Sequence, residues 1–267
     1  PVCVDFIEIS EKPSPQLPCP EFKAGMIKHL TPSSLKNLLK NPFAFYINNV
    51  LKIKNLQPIV MELKPQHIGS LIHKAIELWY LKGLNIYTFL KNELTKNGFL
   101  YEFYCFEDCF LEVSNFFKNL PKEEKDCKVI MEEFMEVKFL PDLLEITLKA
   151  KPDRVEIYKD YANIIDYKVY NQEINAKDLE TGAEPQLPLE ELMLSLLHPH
   201  LRGKINLFYY YIDLNQKKYS VSICKMESPD VLKQEKSLQI LLTELKEFKP
   251  LEFESFDECK YLIRNYG

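Results

Sequence analysis

The chain has 267 residues, 46% of them apolar, and a formal net charge of −5. That is enough chain and apolar surface for one large globular domain, alone or with an appendage. The acidic balance excludes a protein that coats nucleic acid through its overall charge, and no apolar run reaches the length of a membrane span.

The first residues, Pro1-Val2-Cys3-Val4-Asp5, lack the basic-then-apolar pattern of a secretory leader. They also lack an initiator methionine, so the expectation is a processed chain or a piece of a longer polypeptide. Residues 1–30 carry prolines at 13, 15, 18 and 20 besides Pro1, and read as a linker or surface-hugging tail. Thr31-Pro32-Ser33-Ser34 is a capping start, and Leu35, Leu38 and Leu39 follow at helical spacing. Asn41-Pro42 ends that helix, and a second is expected from Phe43 to about Leu51. No acid occurs between Lys28 and Met61, while Lys28, Lys36, Lys40, Lys52 and Lys54 fall in that window with Phe43, Phe45 and Tyr46. This is either a local phosphate-binding patch or a solvated helix face with ordinary core aromatics.

Gly69-Ser70 opens a further helix with Leu71, Ile72, Ala75, Ile76 and Trp79 as its apolar stripe. Two more helices are expected over 85–119. Then the period changes. Val129 to Phe139, Glu145 to Tyr158 and Tyr161 to Tyr170 alternate apolar and polar residues, separated by Pro141-Asp142 and Lys159-Asp160. That pattern predicts a three-stranded antiparallel meander. Helix returns from Pro188 to Leu197, a hairpin follows with strands at 206–213 and 218–225, and a long amphipathic helix runs from Pro229 to Phe248. The predicted fold is α/β, a central mixed sheet flanked by helices.

Seven cysteines, at 3, 19, 105, 109, 127, 224 and 259, are odd in number and irregular in spacing. They fit a reduced, cytoplasmic setting better than a disulfide framework. Cys105 and Cys109 lie one helical turn apart, either half a metal site or two small apolar residues on a helix face. No CxxC or His pair completes a zinc site.

The chemistry gathers in the third strand. In Ile164-Ile165-Asp166-Tyr167-Lys168-Val169, Asp166 and Lys168 are two apart, so both side chains leave one face. If the strands on either side of Lys159-Asp160 pair, Asp153 lies near Asp166. Two converging carboxylates repel unless a cation separates them or one is protonated. Mg²⁺, bound by one or two carboxylates with several waters retained, suits that arrangement, and a lysine beside it can stabilise charge developing on a phosphate. By itself an Asp…Asp-x-Lys pattern is equally well explained by a surface salt bridge.

The flanking motifs carry a resemblance. Gly69-Ser70-Leu71-Ile72-His73-Lys74-Ala75-Ile76-Glu77 resembles the GxxxHxxxE helix of the RecB/AddB-type PD-(D/E)XK nucleases. Lys151-Pro152-Asp153-Arg154-Val155 is similar to their DR-[IV] strand, Asp166-Tyr167-Lys168 to their DYK motif, and Gln186-Leu187-Pro188-Leu189 to their QLPL motif. Ser34 to Tyr46, with Lys40-Asn41-Pro42-Phe43, resembles their entry helix. The five motifs occur in family order between residues 31 and 195.

The resemblance implies a restriction-endonuclease-like core, with entry helices over 31–120, the catalytic meander over 129–170, and the QLPL helix and C-terminal elements over 182–267. It implies a Mg²⁺- or Mn²⁺-dependent deoxyribonuclease with His73, Asp153 and Asp166 as metal ligands. Asp153, Asp166, Lys168 and Gln186 are then the catalytic set, and Lys168 points toward the metal. Glu136 is the expected extra ligand, with Glu132 and Glu133 competing for that role. Lys36, Lys40, Tyr46, Lys52, Lys54 and Gln186 are candidate DNA contacts.

Two departures stand out. Asn41 occupies the place where many members carry the first cysteine of an iron–sulfur cluster, and the C-terminal third offers only Cys224 and Cys259. No cluster is expected. Leu189-Glu190 stands where the family usually has Leu-Tyr, and this resembles the alphaproteobacterial type of AddB. The resemblance thus suggests an exonuclease domain of an AddB-like helicase–nuclease subunit in double-strand-break repair, working with an AddA-like partner because the chain has no P-loop. The alternatives are an inactive nuclease-fold DNA-binding module and a stand-alone repair nuclease of the same fold.

Overall fold

The computed structural model describes residues 27–53, 63–120, 126–139, 146–169, 174–214 and 220–244. The proline-rich stretch before residue 27, Lys54, the Pro141-Asp142 turn, Tyr170 and everything after Glu244 lie outside them, including Cys3, Cys19 and Cys259.

A two-residue strand, β1 (His29–Leu30), leads into α1 (Pro32–Lys40). Thr31 caps α1 reciprocally with Ser34, and Pro32 sits in the first turn. Asn41 separates α1 from α2 (Pro42–Phe45), which runs on as a π-helical turn, Tyr46–Val50.

α3 (Pro65–Lys82) begins four residues before the expected Gly69. Pro65 supplies the fixed backbone angle a first helical position needs, and Gly83 stops the helix in the left-handed conformation at φ 65°. Three helices, not two, follow: α4 (Ile86–Lys96), α5 (Leu100–Cys105) and α6 (Glu107–Asn119). The break at Phe106 puts Cys105 and Cys109 on separate helices. Cys109 is buried and directs Sγ toward the Asp213 carbonyl.

The meander departs most from expectation. The first predicted strand is two, β2 (Lys128–Met131) and β3 (Met135–Phe139), and so is the second, β4 (Ile146–Ala150) and β5 (Arg154–Ile157). β6 (Ala162–Val169) remains whole. β2 and β5 belong to a five-stranded sheet of order β2-β5-β6-β7-β8, whereas β3 and β4 join β1 in a three-stranded sheet of order β1-β4-β3. Each long strand therefore changes sheets midway. Glu132 makes the first change at φ 52°, and Pro152, which has no N–H to give a ladder, makes the second. One hydrogen bond, Glu132 N–H to the Asp153 carbonyl at 3.3 Å, ties the breaks together.

α7 (Ala176–Glu180) and α8 (Gln186–Leu197) carry the chain to β7 (Ile205–Asp213), parallel to β6, and β8 (Ser220–Met226) returns as its antiparallel neighbour. α9 (Val231–Glu244) closes the described chain. Both sheets are mixed, and helices flank them.

β6 divides the core by its two-residue period. Ile164 joins Leu207, Tyr209, Leu187 and Leu194 on the α8 side. Ile165 and Tyr167 join Ile72, Ile76, Phe110 and Phe117 on the side of α3 to α6. The helix carrying His73 and the helix carrying Gln186 thus pack on opposite faces of one strand.

Candidate metal centre

The site lies at the fork where the sheets part. Antiparallel pairing of β5 with β6, with Arg154 opposite Ile165, brings Asp153 beside the Asp166-Tyr167 step. The Tyr167 amide donates to Asp153 Oδ2 at 2.8 Å, leaving Oδ1 free to face α3. Docking of the Ile72/Ala75/Ile76 stripe against the sheet carries His73, at the edge of that stripe, over the end of β6. Its Nε2 lies 2.8 Å from the Tyr167 carbonyl oxygen, and its Nδ1 faces Asp153 Oδ1 at 3.2 Å and Glu132 Oε1 at 3.9 Å.

That pairing has a chemical consequence. A carbonyl only accepts, so Nε2 must carry a hydrogen, and in neutral imidazole Nδ1 is then a lone pair aimed at carboxylate oxygens. Lone pair and carboxylates tolerate one another only with a cation between them. In the metal-free protein that cation is a proton: burial works against it, but the hydrogen bond to Asp153 and the charges of Asp153, Asp166 and Glu132 prevail, raising the His73 pKa to about 9. Lys151 adds a second positive group, 2.6 Å from Glu132 Oε2.

Ligand atoms of His73, Glu132 and Asp153 all lie within 4.8 Å of one another, so the three fit a divalent ion. One imidazole and two carboxylates, with the imidazole oriented by a backbone carbonyl, form a set for a borderline-to-hard metal with positions left for water and phosphate. The residues line an open cleft of about 670 Å³, together with Lys168, Lys151, Glu77, Gly69 and Ser70.

Asp166 stands one step deeper than expected. It is 2% exposed and ion-pairs through Oδ2 with Lys168 Nζ at 2.8 Å. Burial and the nearby Asp153 charge raise its pKa, while Lys168 opposes the shift. Lys168 also donates to Gln186 Oε1 at 3.1 Å, and the Tyr209 ring lies 5.5 Å behind its ammonium.

Two expectations change on this geometry. Glu136 faces solvent on β3, in the other sheet, and pairs with Lys149 at 2.7 Å. The acid at the fork is Glu132, because the left-handed turn there ends one sheet and redirects the side chain. Tyr46 is buried at 7% exposure and offers no ring to a nucleic acid strand. Lys36 is engaged by Glu184, while Lys40 and Lys52 are exposed. A further acid, Glu190, is buried on α8 beside Gln186 and close enough to Asp166 and Asp153 to feel their charges. Its sequence signal was a Glu-Glu pair inside an otherwise apolar helix.

Comparison with known proteins agrees with this architecture. The family description that matches, over residues 29–261, is the PD-(D/E)XK nuclease superfamily. The uncharacterized protein RC0550 of Rickettsia conorii is 30% identical over 188 residues, covering 62% of this chain and 22% of that protein. The uncharacterized protein RT0391 of Rickettsia typhi is 28% identical over 197 residues, 65% of this chain and 23% of its own. The chain thus spans under a quarter of the curated relatives it matches. A crystal structure from Eubacterium rectale, named "Putative exonuclease", superposes with a TM-score of 0.52 at 11% identity, covering 88% of both chains, a likeness of fold.

Proposed function

Because this chain belongs to the PD-(D/E)XK nuclease superfamily, we propose that it is a Mg²⁺- or Mn²⁺-dependent deoxyribonuclease, the exonuclease domain of an AddB-like helicase–nuclease subunit. The observation that carries the metal-dependent reading is the convergence of His73, Glu132 and Asp153 in a cleft that Lys168 also lines. The AddB-like assignment draws on the order of the five motifs. Strand unwinding then belongs to other parts of such a machine, including an AddA-like partner.

His73, Glu132 and Asp153 would hold the ion, the Tyr167 carbonyl fixing the imidazole so that Nδ1 faces the two carboxylates. Once bound, the metal lowers the pKa of a coordinated water and neutralises charge on the phosphodiester. Lys168 has three N–H donors. Asp166 and Gln186 take two of them, and the third would be available to a phosphate in the cleft that Lys168 lines. Asp166, the expected third ligand, lies close enough to Asp153 and His73 to add its charge to the site, and it would also hold Lys168. Mn²⁺ should serve at least as well as Mg²⁺, since imidazole is a softer ligand than carboxylate.

The test is digestion of end-labelled single- and double-stranded DNA and of closed circles, with Mg²⁺, Mn²⁺ or chelator. Cleavage should require metal and a DNA end. Asp166→Asn and Lys168→Ala should each lower it by about 10²–10³-fold, as loss of a transition-state charge contact does, with folding intact. Undiminished cleavage by a folded Asp166→Asn protein refutes the assignment.

A further inference from the structure

The small sheet of β1, β4 and β3 buries only one of its faces. Leu30, Met135, Phe139, Ile146, Leu148 and Ala150 belong to the core. Among the described residues, the alternate positions meet solvent: His29, Glu136 and Lys138 are exposed, and Thr147 and Lys149 are half-buried. Phe134 and Lys151, one residue beyond the paired segment of β3 and β4, continue that alternation. Both are exposed, Phe134 at 74%.

Lysines on a solvent-facing sheet are ordinary, but their order here is not. Lys138 stands opposite Thr147, Lys149 is two residues further along β4, and Lys151 two further again. Two residues of a strand span about 6.8 Å, close to one nucleotide of an extended single strand. The series ends at the metal centre, where Lys151 Nζ lies 2.6 Å from Glu132 Oε2 and lines the cleft with His73, Asp153 and Lys168. The acids among these lysines are Glu136, 2.7 Å from Lys149, and Glu132 itself. The exposed Glu133 falls in the other phase of the strand. Phe134 follows Glu132 by two residues, so its Cα is within about 7.6 Å of that ligand's by chain length alone.

A lysine at each nucleotide step binds phosphates whatever the sequence, and an exposed aromatic ring offers its face to a base. The bases of a duplex are already stacked on one another, so such a ring suits a single strand. We propose that the solvent face of this sheet is a binding track for single-stranded DNA, continuous with the metal cleft. Lys151, Lys149 and Lys138 take successive phosphates, and Phe134 stacks on a base at the cleft end. The proposal rests on the reading that a DNA phosphate meets the ion in the cleft. It places the extended contact on this sheet and not on the exposed Lys40 and Lys52.

The experiment measures fluorescence anisotropy of labelled oligo(dT) and of a blunt duplex of equal length, in chelator so that neither is cut, over a series of salt concentrations. The Lys138→Gln/Lys149→Gln protein should bind oligo(dT) about tenfold more weakly at about 0.1 M salt. Its log–log salt slope should be shallower by about 1.4, two phosphate contacts at about 0.7 each. Phe134→Ala should weaken oligo(dT) binding by about tenfold, as for one lost stacked base, with slope and duplex affinity unchanged. Glu136→Gln, which removes an acid from the track, should bind more tightly, and Lys40→Gln/Lys52→Gln should bind as the parent does. All these side chains are exposed or half-buried, and the urea midpoint checks that each variant is folded. Several results would overturn the track: a parent that does not bind oligo(dT), unchanged affinity and slope in Lys138→Gln/Lys149→Gln, or equal losses for duplex and single strand in Phe134→Ala. So would weaker binding by Glu136→Gln, or a larger loss from Lys40→Gln/Lys52→Gln than from the sheet pair. A parent that binds as described but shows no metal-dependent cleavage would count against the nuclease reading and leave the track standing.

Discussion

α8 holds a second buried acid whose protonation should be visible in stability. Glu191 is 0% exposed and accepts a hydrogen bond from Ser228 Oγ at 2.5 Å. Burial pushes its carboxyl up from 4.5 to about 7, the Ser228 hydrogen bond opposing the shift. A carboxyl raised in the folded state keeps its proton there while the unfolded chain releases it. Between pH 4.5 and about 7 the native state therefore binds more protons than the unfolded state, and stability falls as pH rises. A tenfold difference in proton affinity between the two states is worth about 1.4 kcal/mol, so the whole effect is at most about 3.5 kcal/mol. It is absent below the unfolded value and complete above about pH 7. Glu191→Gln removes this titration. Its absolute stability also reflects any unmet need of the new NH₂ group, so the informative quantity is the change with pH. Urea unfolding of both proteins at about pH 5 and pH 8 should show the parent losing about 2–3 kcal/mol more than the variant across that interval. Titrations common to both proteins cancel in the comparison. Equal losses would refute the reasoning and mean that Glu191 is charged and compensated in the folded protein.

Two further predictions concern what the protein binds. Mn²⁺ at about 100 times its dissociation constant should stabilise the parent by about 2.7 kcal/mol. His73→Ala and Glu132→Gln should lose most of that gain while Glu136→Gln keeps it, and the urea midpoint with and without metal reads the difference. A metal response lost with Glu136 and retained with Glu132 would place the ion elsewhere. The purified protein should be colourless and low in iron, since Asn41 stands where a cluster cysteine would be and instead accepts a hydrogen bond from the Ala44 amide. About four iron atoms per chain with broad visible absorption would contradict this.

Sequence periodicity was sufficient for the elements whose contacts are local. The capped start at Thr31 and the apolar stripe through Ile72 and Ile76 each report a backbone that must bury one face, and each is present, whereas β6 buries both faces, Ile164 on one and Ile165 and Tyr167 on the other. Alternation also places Asp166 and Lys168 on one side of β6, as their ion pair requires. The split strands left a fainter trace. In the segment from Val129 to Phe139, Glu133 falls in phase with the buried Met131 and Met135, and after Ala150 the buried phase shifts by one residue, to Val155. Such slips show that a strand is interrupted, but not which sheet each half will join, because partner choice depends on surfaces far apart in sequence. Only the tertiary structure could decide that Glu132, and not Glu136, stands beside His73 and Asp153. The choice turns on a left-handed backbone step at Glu132 and on its hydrogen bond to the Asp153 carbonyl. The same holds for Asp166, held below the cleft by Lys168, and for Tyr46, drawn into the core from a lysine-rich segment. Residue types and their order define a chemistry, whereas the few ångströms that bring an imidazole from one face of a sheet to carboxylates at its end come from packing across the whole domain.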